Sequence, residues 1–184
     1  MRQAVFLVIT ALMLMMFCAG KLFALSSDDF IVQRAISHDR FFRPKIYLSQ
    51  IWGEAQIDDR LLKTETHEQW SGYRDVIIYF YENIEIVTAT VFPNAPYRWI
   101  VDIAIIGNGF HMKSDITVGH TRDDIIVFYG NPLYELSSDG ITYINYQIND
   151  PRADYGYNLV RLSLTFTLKD NVITRIRVNY IYNI

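Results

Sequence analysis

The sequence contains a single cysteine, Cys18, and only five prolines among 184 residues. Because Cys18 precedes the candidate folded region, no disulfide can stabilise that region, and stability must come from a hydrophobic core. No basic run is present, so we expect no nucleic-acid partner. A Gly-x-Ser-x-Gly nucleophile motif and a Gly-rich phosphate loop are also missing, and we expect neither enzymatic activity nor a cofactor.

The first residues have the pattern of a secretory leader. Arg2 is followed by a run without charge over residues 4–19, and small residues follow at its end. We interpret residues 1–24 as a signal peptide, because the run is short for a helix that crosses roughly 30 Å of hydrocarbon. The protein is then exported to the periplasm or cell envelope, or is secreted. A membrane attachment is expected only in the alternative in which Cys18 is lipidated.

What the chain has in abundance is apolar side chains, at 51% of residues, and an internal repeat. The segment Trp52-Gly53-Glu54-Ala55 returns 77 positions later as Tyr129-Gly130-Asn131-Pro132. The same offset aligns the alternating apolar residues at the end of each copy. A fixed period predicts a duplicated supersecondary unit. We expect a first unit over residues 25–108 and a second over 109–184, sharing one globular domain because no linker separates them.

Each unit is predicted to contain a short helix followed by strands, an α+β pattern. In the second unit Thr121 can cap the helix and Gly130 can end it. In the first unit Pro44 and Gly53 take the matching positions. Period-two alternation of apolar and polar residues predicts the strands. The predicted strands cover residues 75–81, 84–92 and 97–106 in the first unit, and 141–148, 159–168 and 172–182 in the second.

The stretch from Ile116 to Ile125, the Tyr129-Gly130-Asn131-Pro132 segment, and the Leu/Phe strand that ends in Lys169-Asp170-Asn171 resemble the repeat of β-lactamase inhibitory protein. The same repeat is similar to the small outer-membrane lipoprotein of the β-barrel assembly machinery. The resemblance implies two helix-plus-antiparallel-sheet repeats forming one curved sheet with helices on one face. It also implies that the exposed sheet face binds another protein, and catalysis is not typical of the family.

The residues themselves indicate where such a binding face would lie. In the strand at residues 75–81 both alternating rows are bulky, so one row packs inside and the other is available to a partner. Tyrosine and tryptophan suit recognition because they bury a large area with few rotatable bonds. The predicted protein-binding surface comprises six strand residues: Tyr79, Tyr81, Tyr143, Arg161, Arg175 and Arg177. Four aromatic residues are expected on long loops beside these strands: Trp70, Tyr73, Tyr155 and Tyr157.

Two other classes of function stay open at this point. The aromatic residues could instead line a cavity of a periplasmic small-ligand or lipid-binding protein. A hydrolase of unrecognised type would need convergent histidine and carboxylate groups. Several histidine and carboxylate groups, which are also possible metal ligands, lie close together in the sequence: His111, Asp115, His120, Asp123 and Asp124. Their spacing matches no metal-ligand motif, and we expect no metal.

Overall fold

In the computed structural model, the described residues form two antiparallel sheets and one helix. Eleven strands and one helix are present in the described ranges, and their bounds are as follows: β1 Val32–Arg34, β2 Lys45–Ile46, β3 Leu61–Trp70, β4 Tyr73–Tyr81, β5 Ile84–Thr90, β6 Trp99–Ile105, β7 Phe110–Met112, α1 Arg122–Tyr129, β8 Tyr134–Ser138, β9 Ile141–Asn149, β10 Leu159–Lys169 and β11 Val172–Tyr182. The residues described are 25, 30, 32–34, 45–46, 60–90, 99–112, 114–149 and 159–182.

Eight of the strands form one antiparallel sheet in the order β3-β4-β5-β6-β11-β10-β9-β8. Each half of the chain contributes a four-stranded meander, and the last strands of the two meanders pair with each other. In this pairing Asp102 lies opposite Asn179. These two residues are separated by the same 77 positions as the sequence repeat. A pseudo-two-fold axis therefore passes between Asp102 and Asn179.

The predicted α+β class with helices on one face of the sheet is wrong. The described part of the chain is mostly one large antiparallel sheet, and its helical content is a single helix of eight residues. A second, three-stranded sheet has the order β2-β1-β7. In the first unit the segment that we predicted to begin a helix contributes strand β2 at Lys45–Ile46, which pairs with β1. The rest of that predicted helix lies outside the described residues, as do residues 1–24.

The predicted second-unit helix is confirmed, and its ends have the expected chemistry. The backbone N–H of Asp124 donates to Thr121 Oγ1 at 3.4 Å, and the Thr121 N–H donates to Asp124 Oδ2 at 2.8 Å, which is a reciprocal capping box. Gly130 closes the helix with a positive φ of 70°. Within the described ranges, no helix is long and apolar enough to span a bilayer.

The helix packs against the second half of the sheet. Ile125 and Tyr129 are its buried residues. The ring of Tyr129 lies 5.3 Å from that of Tyr146 and 5.4 Å from that of Phe166, between ring centroids. The Tyr146 hydroxyl donates to the Gly130 carbonyl at 2.8 Å, and burial raises the pKa of this phenol to about 12. Ring packing and one hydrogen bond thus fix the C-terminal end of the helix to strand β9.

The six predicted strands correspond to β4, β5, β6, β9, β10 and β11, with ends that agree within two residues. Glu82-Asn83 turns between β4 and β5, and Asp170-Asn171 turns between β10 and β11 with positive φ at both residues. Strands β3 and β8 were not predicted. They are the two edge strands of the large sheet.

Candidate binding face

The two faces of the large sheet differ sharply in chemistry. Directly opposed residues of antiparallel strands lie on the same face of a sheet. The strand registers therefore define two rows that cross the sheet. The row on the core face is Thr64, Tyr79, Ile86, Ile103, Val178, Leu164 and Tyr146. The neighbouring row is Lys63, Phe80, Glu85, Ala104, Arg177, Thr165, Asn145 and Tyr134, and the face that it marks is called the polar face below.

The core face is fully buried along its length from Ile86 to Tyr146. These residues have at most 1% of their surface exposed, whereas Tyr79 has 9%. Tyr81 and Tyr73 are also buried members of the same hydrophobic core. The Tyr73 hydroxyl donates to the backbone carbonyl of Tyr180 at 2.8 Å, which ties β4 to β11.

This placement corrects part of the predicted surface. Tyr79 and Tyr81 were expected beside Tyr143, but they lie on the opposite face of the sheet and are buried. Tyr73 and Trp70 were expected on a loop, but they belong to strands β4 and β3.

The structure brings the other strand residues of the predicted surface together. Tyr143, Arg161, Arg175 and Arg177 all lie on the polar face, on strands β9, β10 and β11. Tyr143 and Arg161 are exposed, whereas the two other arginines are half-buried. Tyr155 and Tyr157 lie outside the described residues.

Ion pairs that cross strands neutralise the centre of the polar face. Arg175 of β11 forms a salt bridge with Glu85 of β5, reaching past β6. Arg177 Nε donates to Asp102 Oδ1 at 3.1 Å, and Asn179 Nδ2 donates to Asp102 Oδ2 at 3.1 Å. These contacts join the two halves of the chain, since β5 and β6 belong to the first and β11 to the second.

Asp102 is the buried member of this group, with 1% of its surface exposed. Burial raises the pKa of its carboxyl above the ordinary value of 3.8, because the charged form loses water, while Arg177 and Asn179 oppose that rise. The half-exposed guanidinium of Arg177 caps the carboxylate towards solvent. The seam between the two halves therefore contains a buried acid whose partners come from the other half.

A second polar group lies further along the face. Asn145 of β9 is buried, and its Nδ2 lies 2.8 Å from Thr165 Oγ1 and 3.0 Å from Ser163 Oγ, both on β10. The same nitrogen donates to the Leu164 carbonyl at 3.3 Å. The hydroxyl side chains of β10 therefore give the buried amide of Asn145 its hydrogen-bond partners.

Exposed aromatic and apolar side chains lie at the β8–β9 end of the polar face. Leu136 lies directly opposite Tyr143, and Tyr134 lies two residues before Leu136 on the same face. Their exposed fractions are 62%, 40% and 41%. At the opposite end, Lys63 Nζ lies 4.4 Å from the ring centroid of Phe80, a cation–π contact. Exposed Tyr and Leu at adjoining cross-strand positions are typical of a contact surface.

Sequence reasoning missed Phe80, Tyr134 and Leu136 on this face, together with the acidic partners Glu85 and Asp102. No signal within β4 identifies Phe80, because both rows of this strand are apolar and only the register with β5 places Phe80 beside charged Glu85. Strand β8 carries too few apolar residues for alternation to identify it.

The acidic and histidine side chains considered for metal binding do not converge. His111 Nδ1 lies 3.2 Å from Asp115 Oδ1, and Asp124 is occupied by the helix cap. The part of the chain that the structure describes contains no group of three or more potential metal ligands.

The comparisons with known proteins give no relative from which to transfer a function. No protein-family model, no curated protein and no solved structure matches the chain.

Proposed function

We propose that this chain is an exported, non-enzymatic protein-binding module of the cell envelope that contacts its partner with the polar face. The observation that carries the proposal is the contrast between the two sheet faces. One face is buried in the core, whereas the other carries exposed Tyr143, Leu136 and Arg161 and is capped by no described helix.

The composition of this face suits protein recognition. Exposed Tyr143, Tyr134 and Leu136 supply apolar contact area, which is where binding energy concentrates in protein interfaces. The ion pair of Arg175 with Glu85 and that of Arg177 with Asp102 are already satisfied within the chain. A partner therefore meets a largely neutral centre, and the energy of contact comes from the exposed aromatic side chains and from Arg161 at the rim.

Export is supported by the uncharged run over residues 4–19 behind Arg2, followed by small residues. The role within the envelope is either support of an assembly or restraint of an enzyme. Both roles require the same face to bind another protein.

The Tyr143→Ala change is expected to weaken partner binding by about ten-fold or more, because it removes an exposed aromatic anchor at the centre of the apolar cluster. The full chain and its variants are used as bait against an envelope extract, and captured proteins are quantified by mass spectrometry. Arg161→Ala is expected to act in the same direction with a smaller effect.

Phe128→Ala is the matched control, because Phe128 is a comparably exposed aromatic residue, at 48%, on helix α1 rather than on the polar face. A protein retained by this control and lost by Tyr143→Ala supports the proposal. If Tyr143→Ala and Phe128→Ala capture the same proteins in the same amounts as the unaltered chain, the polar face is not the binding surface.

A further inference from the structure

The two edge strands of the large sheet are protected to different degrees. An edge strand exposes unpaired backbone N–H and C=O groups, and proteins commonly block such edges with charged side chains or proline. Strand β3 carries the charged residues Lys63, Glu65 and Glu68 along its length. Strand β8 carries one charge, Glu135, and all five of its residues are exposed.

The single charge on β8 is already compensated. Glu135 accepts two hydrogen bonds from Arg122, from Nε and Nη2, each at 2.9 Å. This pair lies on the core side of the sheet, because Glu135 is in register with buried Ile144. The polar-face side of β8 therefore presents Tyr134, Leu136 and Ser138 without any charge.

We propose that β8 pairs with β8 of a second copy of this chain, in antiparallel register centred on Leu136. A two-fold axis perpendicular to the sheet closes such a dimer and keeps the polar faces of both copies on the same side. Leu136 then lies opposite Leu136 of the other copy. Tyr134 lies opposite Ser138, and Glu135 lies opposite Ser137.

The pattern of charge along the strand selects this register. A two-fold register centred on residue 135 places Glu135 opposite Glu135, and one centred on residue 137 places Glu135 opposite Asp139. Like charges directly opposite each other destabilise a strand pair. A register centred on residue 134 places Leu136 opposite Pro132, which has no N–H to donate. Of these four registers, only the one centred on Leu136 opposes Leu136 with Leu136 while opposing no two acidic groups and placing no proline opposite Leu136.

The chain already uses this kind of pairing internally. Strands β6 and β11 come from the two repeats and pair antiparallel about a pseudo-two-fold axis, with equivalent residues Asp102 and Asn179 opposed. Pairing through β8 repeats the geometry between chains and continues the sheet without a break. The inference goes beyond the proposed function, because strand pairing at this edge leaves Tyr143 and Arg161 on an open face.

Disulfide trapping tests the register directly. The full chain carrying Cys18→Ser, which removes its only cysteine, receives either Leu136→Cys or Ser138→Cys. In the proposed dimer the two copies of residue 136 are direct neighbours within reach of a disulfide. The two copies of residue 138 are offset by four strand residues, roughly 13 Å, which is too far. Ser138 is a suitable control because it lies on the same strand and the same face.

With a dilute copper-phenanthroline oxidant, Leu136→Cys is expected to form a covalent dimer about ten-fold faster or more than Ser138→Cys, as measured by non-reducing electrophoresis. A mixture of Tyr134→Cys and Ser138→Cys chains is expected to form the mixed dimer, which tests the register without altering Leu136. Circular dichroism verifies that each variant folds. Equal rates for Leu136→Cys and Ser138→Cys, or no dimer in any combination of folded variants, would overturn the proposal.

Discussion

Replacing Phe166 with alanine is expected to lower the free energy of unfolding by about 3 to 5 kcal/mol. Phe166 has no exposed surface, and its ring packs against those of Tyr129 and Tyr146, with centroid distances of 5.4 and 6.2 Å. The change removes the ring contacts by which β10 packs against helix α1 and against β9, and it leaves a cavity, whereas the direct contact between Tyr129 and Tyr146 remains. Since whole domains are stable by roughly 5 to 15 kcal/mol, a large part of the variant protein is expected to be unfolded under mild conditions.

Thr167→Ala is the control for this prediction, because Thr167 is the next residue on the same strand and lies on the polar face. Its change is expected to cost less than about 1 kcal/mol, as is usual for partly exposed residues without a special role. Urea unfolding followed by circular dichroism measures both. Similar losses for Phe166→Ala and Thr167→Ala would mean that the two faces of β10 are not assigned correctly.

Asp102→Ala is expected to lower the free energy of unfolding by about 1 to 3 kcal/mol. The change leaves Arg177 and Asn179 without the carboxylate that both of them contact at 3.1 Å. This loss is smaller than for a fully buried ion pair, because 42% of the Arg177 side chain is exposed and water can solvate it. Asp102→Asn keeps the shape and one acceptor oxygen for Arg177, and the Asn179 amide can turn so that its oxygen accepts from the new N–H. This variant is therefore expected to stay within about 1 kcal/mol of the unaltered chain at neutral pH.

The pH dependence of Asp102→Asn tests the raised pKa of Asp102. An acid whose pKa is higher in the folded than in the unfolded state holds its proton more tightly when folded. Its contribution to stability therefore rises as the pH falls from neutral through the raised pKa, and it levels off below the ordinary value of 3.8. The Asp102→Asn variant lacks this gain in stability, because asparagine does not take up a proton in this pH range.

The free energy of unfolding of the unaltered chain is thus expected to rise relative to that of Asp102→Asn as the medium is acidified from pH 7 to pH 4. Urea unfolding at several pH values measures it. A difference that is constant with pH, or one that moves in favour of Asp102→Asn, would contradict the assignment of Asp102 as a buried, destabilised carboxylate.

Strand positions could be predicted from the sequence wherever one row of side chains is clearly apolar. In β10 the alternation of Leu162, Leu164 and Phe166 with small polar residues fixes both the strand and its buried face. The helix of the second unit could also be predicted, because Thr121 and Asp124 supply a reciprocal cap and Gly130 supplies an end.

The orientation of β4 could not be predicted, because both of its rows are apolar. Tyr79 and Tyr81 alternate with Ile78 and Phe80, so local periodicity does not say which row faces the core. The register of β4 with β5 decides the question by placing Tyr79 beside Ile86 and Phe80 beside Glu85. That information depends on the neighbouring strand, not on β4 itself.

The edge strands were missed for a related reason. Strand β3 is composed largely of charged and hydroxyl side chains, and β8 has only five residues, all of them exposed. Propensity and alternation detect burial, and an edge strand has little of it. The fold class was wrong in part for the same reason, because the unpredicted strands β3 and β8 enlarge the sheet while the described residues contain one short helix.

Hydroxyl-radical footprinting of tyrosines in the full chain tests most directly the central claim that the two faces of the sheet differ in access. Tyr143 and Tyr134, which are 40% and 41% exposed, are expected to be oxidised several-fold faster than Tyr79 and Tyr81, which are 9% and 5% exposed. Oxidation is read residue by residue by mass spectrometry. Comparable oxidation of Tyr79, Tyr81 and Tyr143 would place these rings on one open surface and would contradict the polar face as defined by the strand registers.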